Sequence, residues 1–236
     1  MPKDGKWCSF DCIYCECGLN KDHKTQASLP TVEEITSKLK EKLTEMKENG
    51  DNLDTLTFSG NGEPTMHPEF HIIVDEVIKL RDMYYPQAKV SVLSNSTQIH
   101  RKNVMDALMR VDNAVMKLDT VSPEYIKKVN QPAGNYNIND VVDYLSKMNG
   151  KVIIQTMFMK GNVMDSNGNT VSVDNCKDEY IIPYIKALKK INPKSVMIYT
   201  LDRKWPTEGL EKSTKETMDE IAVKIREAGF ITNVSY

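Results

Sequence analysis

The chain has 236 residues, of which 40% are hydrophobic, 31 are Lys or Arg and 33 are Asp or Glu. This composition excludes disordered and collagen-like chains, and the net charge of −2 gives no overall attraction to a polyanion such as nucleic acid. No apolar run reaches the roughly 18 residues needed to cross a bilayer, and the N-terminus lacks signal-peptide character, so we expect a cytoplasmic protein without a membrane partner.

Predicted helices and strands alternate along the chain. Thr31 and Glu34 have the spacing of a capping box and predict an amphipathic helix from residue 31 to about residue 46. After this helix, apolar and β-branched runs predict strands at 53–58, 89–93, 113–118, 151–157, 195–199 and 230–234. Apolar residues at helical spacing predict further helices at 67–81, 101–110, 138–148, 177–190 and 214–228.

This alternation predicts an α/β fold of parallel strands joined by right-handed helical crossovers. An open doubly wound sheet and a complete or partial barrel both satisfy it, and we favour a partial (β/α)6 TIM-like barrel formed as one domain over residues 1–236. The few residues before Cys8 form no convincing strand, so either the sheet begins near Leu53 or the barrel lacks its first strand. In every case, ligands are expected at the carboxyl ends of the strands.

Four of the five cysteines crowd into one short segment near the N-terminus, and three of them have the spacing Cys8-x3-Cys12-x2-Cys15. Crowding of this kind indicates a metal site rather than a disulfide framework. Thiolates are soft ligands, which favours an iron–sulfur cluster or zinc, and a set of three leaves one coordination position open. On this motif alone, a structural zinc with Cys17 or His23 as fourth ligand is the alternative.

A second motif, Ser59-Gly60-Asn61-Gly62-Glu63-Pro64, directly follows a predicted strand. Glycine permits a tight turn and lets backbone carbonyls approach a ligand closely. Alone, a Gly-x-Gly-Glu turn also fits an ordinary connection from a strand to a helix. Its position one strand–helix unit after the cysteines makes it more informative.

Together, the two motifs resemble the radical S-adenosylmethionine (SAM) superfamily, and in particular its compact wyosine-synthase-like branch. The resemblance implies that Cys8, Cys12 and Cys15 hold a [4Fe-4S] cluster whose fourth iron binds SAM. It implies an enzyme that reductively cleaves SAM to a 5′-deoxyadenosyl radical, which then abstracts a hydrogen atom from the substrate. In this reading, Tyr14 lies near the adenine. The turn that contacts the amino group of SAM comprises Gly60, Asn61, Gly62 and Glu63, with Asn61 in place of a glycine.

Polar residues at later strand ends are similar to other cofactor-binding positions of this family. They are Ser94, Asn95, Lys117, Asp119 and Gln155. Each alone also fits a turn, a solvent-facing or a core role, but all fall at one end of the predicted sheet. The same reasoning applies at the end of the last long strand. It predicts substrate contacts by Tyr199, Asp202 and Arg203 or, alternatively, an ion pair in a loop.

The sequence leaves the substrate open between an RNA nucleoside, a protein or peptide and a small metabolite. A glycyl-radical-enzyme activase and a tRNA-modifying enzyme are therefore both compatible with it, and each implies an electron donor such as flavodoxin or ferredoxin. The alternative of a different class is a non-catalytic zinc or iron–sulfur module, against which the Gly60–Pro64 turn argues. Cys17 and Cys176 are too few for a second cluster, so Cys176 is expected to be a plain loop or core thiol.

Overall fold

Parallel strands form the main sheet of the computed structural model, which describes residues 4–22, 28–165 and 168–236. Six strands form this sheet in the described part of the chain, in the order β1-β2-β3-β4-β7-β9, and every neighbouring pair is parallel. The strands are β1 (Thr55–Phe58), β2 (Lys89–Ser94), β3 (Asn113–Lys117), β4 (Val152–Met157), β7 (Ser195–Tyr199) and β9 (Thr232–Ser235). The expected α/β fold is confirmed, as a partial TIM-like barrel.

One helix precedes β1, and the other helices lie between successive strands of this sheet. They are α1 (Val32–Glu48), α2 (Phe70–Tyr84), α3 (Lys102–Arg110), α4 (Pro123–Val129), α5 (Ile138–Ser146), α6 (Asp178–Ile191) and α7 (Lys215–Glu227). The predicted capping box of α1 is present, since the Thr31 hydroxyl accepts from the Glu34 amide at 3.1 Å and the Glu34 carboxylate accepts from the Thr31 amide at 2.8 Å. No helix in the described residues combines the length and the apolar character that crossing a membrane requires.

The largest hydrophobic cluster lies between the sheet and its helices. Val90 and Val92 of β2, Met116 of β3 and Ile154 of β4 are fully buried in it. Strands covered on both faces read as continuous apolar runs, which is why these were predictable. A second cluster, which includes Phe10, lies at the carboxyl ends of the strands.

Three short strands form a separate antiparallel sheet that the sequence did not predict. They are β5 (Met159–Met164), β6 (Thr170–Ser172) and β8 (Leu210–Lys212), in the order β6-β5-β8. The seven-residue helix α4 was also missed. Because β5 begins two residues after β4 ends, this small sheet adjoins the carboxyl end of the main sheet.

Some predicted boundaries are wrong by a few residues. The helix expected from residue 67 begins at Phe70, because Pro64–Met66 form a turn of 3₁₀ helix ahead of it. The last strand begins at Thr232 rather than at residue 230. Among the described strands, β1 is an edge strand that pairs with β2 alone, which agrees with both expectations for the start of the sheet.

Candidate cofactor site

The segment of residues 6–20, here called the cysteine loop, is held against the turn that follows β1. The Trp7 amide donates to the Asn61 carbonyl at 2.9 Å, and the Glu63 amide donates to the Trp7 carbonyl at 3.0 Å, which makes a parallel bridge between Trp7 and Gly62. The two motifs found in the sequence are therefore in direct contact at the carboxyl end of β1.

A second set of backbone contacts holds the cysteine loop to the end of α4. The Ile13 amide donates to the Val129 carbonyl at 2.9 Å, and the Asp11 amide donates to the Asn130 carbonyl at 3.0 Å. Phe10 forms an antiparallel bridge with Pro132. The loop is thus fixed on two sides by segments distant in sequence.

The Glu63 carboxyl group fixes the shape of the turn. It is buried and accepts hydrogen bonds from the Asn95 amide at 2.6 Å and from the Thr65 amide at 3.0 Å. Burial raises the pKa of Glu63, although these hydrogen bonds act in the opposite direction. Gly60 and Gly62 have φ angles of +137° and +146°, a backbone conformation that favours glycine.

All five cysteines lie in the described residues as free thiols, and two of the predicted ligands are held by asparagine side chains. The Asn95 side-chain amide lies 3.6 Å from the Cys8 sulfur, and the Asn130 side-chain amide lies 3.5 Å from the Cys12 sulfur. Burial raises the pKa of Cys8 to about 12 and that of Cys12 to about 11. Each thiol therefore keeps its proton at neutral pH until a bound metal stabilises the thiolate.

A single metal ion and an iron–sulfur cluster require different arrangements of the thiols. No three His, Cys, Asp or Glu side chains among the described residues are arranged to hold one metal ion. A tetrahedral zinc with bonds of about 2.3 Å needs its sulfur ligands about 3.8 Å apart, whereas a cluster binds each thiolate through a different iron. As for the proposed fourth zinc ligands, Cys17 contacts the Gly60 carbonyl, and His23 lies outside the described residues.

A buried polar network lies beside the cysteine loop at the ends of β3 and β7. The Lys117 ammonium lies 2.6 Å from the Tyr199 hydroxyl, 3.4 Å from an Asp119 carboxylate oxygen and 5.0 Å from the centre of the Tyr14 ring. The Tyr14 hydroxyl donates to Asp119. Burial lowers the pKa of Lys117, but Asp119 and Tyr199 outweigh it, and the pKa lies above its ordinary value. Lys117 is therefore a permanent buried cation.

Asn130 joins this network to the cysteine loop, and the sequence analysis did not single it out. Its side-chain amide lies 2.8 Å from Asp119 and 3.1 Å from the Tyr14 hydroxyl, in addition to its contact with Cys12. It follows a short helix and belongs to no recognisable motif. The sequence shows only a polar residue at this position. The fold places it at the end of a helix and near the end of a strand.

The remaining predicted residues divide between the site and the surface. Gln155 of β4 pairs with Lys117 of β3 in the sheet, and Ser94 is buried at the end of β2. Asp202 and Arg203 are exposed and form ion pairs with Lys212 at 3.7 Å and with Glu16 at 2.9 Å, respectively. Both side chains thus form ion pairs in loops, and their predicted contact with substrate stays a prediction.

Comparison with known proteins decides the family. The model of the Radical SAM superfamily matches residues 3–172, which include both motifs and the strand ends up to β4. The chain belongs to the radical SAM superfamily. This membership confirms the family that the cysteine spacing and the Gly60–Pro64 turn indicated.

Relatives of this radical SAM chain are longer than it is. It is 27% identical over 216 residues to GTPase Obg of Brachyspira hyodysenteriae, covering 91% of this chain and 29% of that protein. It is 26% identical over 226 residues to UPF0026 protein MJ1312 of Methanocaldococcus jannaschii, covering 93% of this chain and 63% of that protein. The chain therefore spans less than two thirds of the length of these curated relatives.

A solved structure has the same fold. A radical SAM methyltransferase from Sphaerobacter thermophilus aligns with a TM-score of 0.71 at 16% identity, covering 97% of this chain and 63% of that chain. At this identity, the likeness extends to the architecture alone.

Proposed function

We propose that this chain is a radical SAM enzyme that holds a [4Fe-4S] cluster through Cys8, Cys12 and Cys15 and reductively cleaves SAM. The observation that carries the proposal is the contact between the cysteine loop and the turn at Asn61–Glu63, at the carboxyl ends of parallel strands. A cluster bound there supplies the electron that splits SAM and starts radical chemistry on a substrate. A module that only binds a metal has no use for this turn.

The surrounding side chains support these roles by position. Asn95 and Asn130 donate toward the sulfurs of Cys8 and Cys12, and such bonds stabilise thiolates. Glu63 fixes the end of the turn by accepting from the Thr65 and Asn95 amides, and we assign the turn to the ammonium group of SAM. The Lys117–Asp119 pair is a buried ion pair beside the loop, and we assign it to shielding the reacting groups from water.

Anaerobic reconstitution with iron and sulfide tests the proposal. The expected product holds iron and sulfide in the amounts of one cluster per chain. With a reductant and SAM, it is expected to release 5′-deoxyadenosine and methionine, which chromatography measures. Bound zinc without 5′-deoxyadenosine would support a non-catalytic module instead.

A matched pair of cysteine variants tests the ligand assignment. Cys12→Ala is expected to lose the cluster and SAM cleavage together. Cys176→Ala is expected to retain both, because the Cys176 thiol contacts Ser213 at 3.2 Å and Met159 rather than the cysteine loop. Retention of cluster and cleavage by Cys12→Ala would overturn the assignment of Cys12.

A further inference from the structure

Lys6 is a buried cation inside the cysteine loop. Its side chain is 2% exposed, and its ammonium group donates to the Gly18 carbonyl at 2.7 Å and to the Asp11 carboxylate at 3.3 Å. Asp11 lies between Cys8 and Cys12 in sequence and Gly18 follows Cys15, so the Lys6 ammonium group is bound within the loop that carries the three predicted ligands. A lysine is rarely buried to this degree without a paired charge or a function.

The charge of Lys6 is only partly balanced by Asp11. The Asp11 side chain is 25% exposed, so water screens it, and one of its oxygens also accepts from the Asn20 amide at 2.7 Å. The ion pair with Asp11 and the hydrogen bond to the Gly18 carbonyl stabilise the charged form of the Lys6 ammonium group.

A second buried cation near the loop is neutralised more completely. Lys117 is paired with Asp119, whose side chain is 2% exposed and sheltered from solvent screening. The Asp119 carboxylate also receives the Met157 amide at 2.9 Å and the Asn130 side chain. Of these two buried cations, Lys6 is the one whose positive charge is less completely neutralised by its described partners.

We propose that Lys6 raises the reduction potential of the cluster held by Cys8, Cys12 and Cys15, an inference that rests on the function proposed above. Reduction transfers one electron from an external low-potential donor to the cluster, without forming or breaking a bond in the protein, and adds one negative charge inside the loop. A fixed cation in this poorly screened position stabilises the more negative state. The charge of Lys6 thus favours the reduced cluster, and the charge of Asp11 acts in the opposite direction.

Two substitutions with opposite expected effects test the proposal. Lys6→Met is expected to lower the ratio of reduced to oxidised cluster about tenfold at a fixed solution potential, which equals about 59 mV for a one-electron couple. Asp11→Asn keeps the side-chain oxygen but removes the opposing charge, so this ratio is expected to rise severalfold. The readout is an anaerobic redox titration followed by electron paramagnetic resonance, without SAM.

Lys21→Met is the matched control, because Lys21 is an exposed lysine directly after the loop. The ratio of reduced to oxidised cluster in Lys21→Met is expected to stay within twofold of the ratio in the unmodified protein. Equal potentials for Lys6→Met and the unmodified protein would overturn the proposal. Shifts of the two test variants in the same direction would also overturn it, since they would indicate a loosened loop rather than a charge effect.

A third variant covers the case in which Lys6→Met does not retain a cluster. Lys6→Arg keeps the charge and is expected to keep the reduction potential. Asp11→Asn then shows whether removing the negative charge raises or lowers that potential. An unchanged or lowered potential in Asp11→Asn refutes the inference about Lys6. Failure of the unmodified protein to bind a cluster would instead refute the proposed function, so the two failures are distinguishable.

Discussion

Two asparagines connect the predicted ligands to the body of the protein. Asn95 follows β2 and contacts Cys8, whereas Asn130 follows α4 and contacts Cys12. Each amide is held by further partners, since Asn95 accepts from the Thr97 amide at 3.0 Å and Asn130 lies against Asp119. The thiols therefore receive donors of fixed position, which is the arrangement that orients metal ligands in proteins.

Asn130→Ala is expected to lower the stability of the fold and to make the cluster easier to remove. It removes a buried donor from Asp119, Tyr14 and Cys12 together, so we expect a loss of about 2–3 kcal/mol in the free energy of unfolding. Cluster loss to an iron chelator is expected to be about tenfold faster, which absorbance measures. The control is Gln131→Ala, an exposed neighbour whose side chain donates to the Lys128 carbonyl. Equal chelation rates would show that Asn130 does not support Cys12.

The parts of the site that are local in sequence were predictable, and the parts that depend on folding were not. Cys8 to Cys15 and Gly60 to Pro64 carry their chemistry in short runs whose spacing is visible directly. Asn130 lies 118 positions after Cys12 and reaches it through a backbone path that no periodicity encodes. Asp202 and Arg203 were correctly placed after β7, but a strand end does not determine where long charged side chains point.

At the scale of elements, the small antiparallel sheet depends on two glycines. A Cβ atom added to Gly209 would lie 2.0 Å from the Asn162 carbonyl oxygen, and one added to Gly161 would lie 2.2 Å from the Gly209 carbonyl oxygen. Gly209 also has a φ of +83°. The close crossing of β5 and β8 is therefore available to glycine but not to residues with a side chain.

Gly209→Ala is expected to destabilise the protein by about 2–4 kcal/mol, from backbone strain and the clash with Asn162 together. The matched control is Gly50→Ala, because Gly50 has a φ of +75° but no described atom within 4 Å of an added Cβ. The control should lose about 1 kcal/mol, from strain alone. Urea unfolding measures both. Similar losses in the two variants would mean that the strands separate without cost.

The missed elements lacked the signals on which sequence prediction depends. β6 and β8 contain three residues each and are largely polar, so neither a two-residue alternation nor an apolar run is visible. The helix α4 has seven residues, with Ser122 as its cap and Pro123 in its first turn, which is too short for a helical period to be recognised. The central strands β2, β3 and β4 were visible because burial on both faces required apolar residues.

The Asp112 side chain connects three parts of the fold, which are α2, β2 and the junction between α3 and β3. The Asp112 carboxylate, between α3 and β3, accepts from the Arg81 guanidinium of α2 and from the Val90 amide of β2, both at 2.8 Å. Burial alone would raise the pKa of Asp112, but these two interactions outweigh it and hold the pKa below its ordinary value. The stabilisation is therefore present above about pH 4 and is lost as the pH falls through the lowered pKa.

Asp112→Asn is expected to remove this pH-dependent stabilisation. At neutral pH, the variant should lose about 1–2 kcal/mol in the free energy of unfolding, because a charge-assisted bond becomes a neutral one. The difference from the unmodified protein should narrow below about pH 4, where Asp112 begins to be protonated. Urea unfolding at several pH values measures it, with Asp106→Asn as an exposed control expected to change stability by less than about 0.5 kcal/mol. A difference that is constant down to acid pH would contradict the role given to Asp112.

At the scale of the whole molecule, backbone hydrogen bonds attach the cysteine loop to two separate segments of the fold. Its hydrogen bonds reach the turn at 60–63 on one side and residues 129–133 on the other, including the Ala133 amide to the Ser9 carbonyl at 2.8 Å. These two segments are distant in sequence but meet at the loop. A ligand that orders the loop must therefore stabilise both, while elements without contact to the loop are affected only through global stability.

Hydrogen exchange with and without the reconstituted cluster tests this coupling. We expect amide exchange in the cysteine loop, the turn at 60–63 and residues 129–133 to slow at least about tenfold when the cluster is bound, because local opening then requires release of the cluster. The helix α7 is not hydrogen-bonded to the loop in the described structure and should be unchanged. Cys12→Ala treated in the same way controls for iron bound elsewhere and should show no slowing. Equal slowing in α7 would indicate global stabilisation, and slowing in the loop without residues 129–133 would show that the second attachment is not maintained.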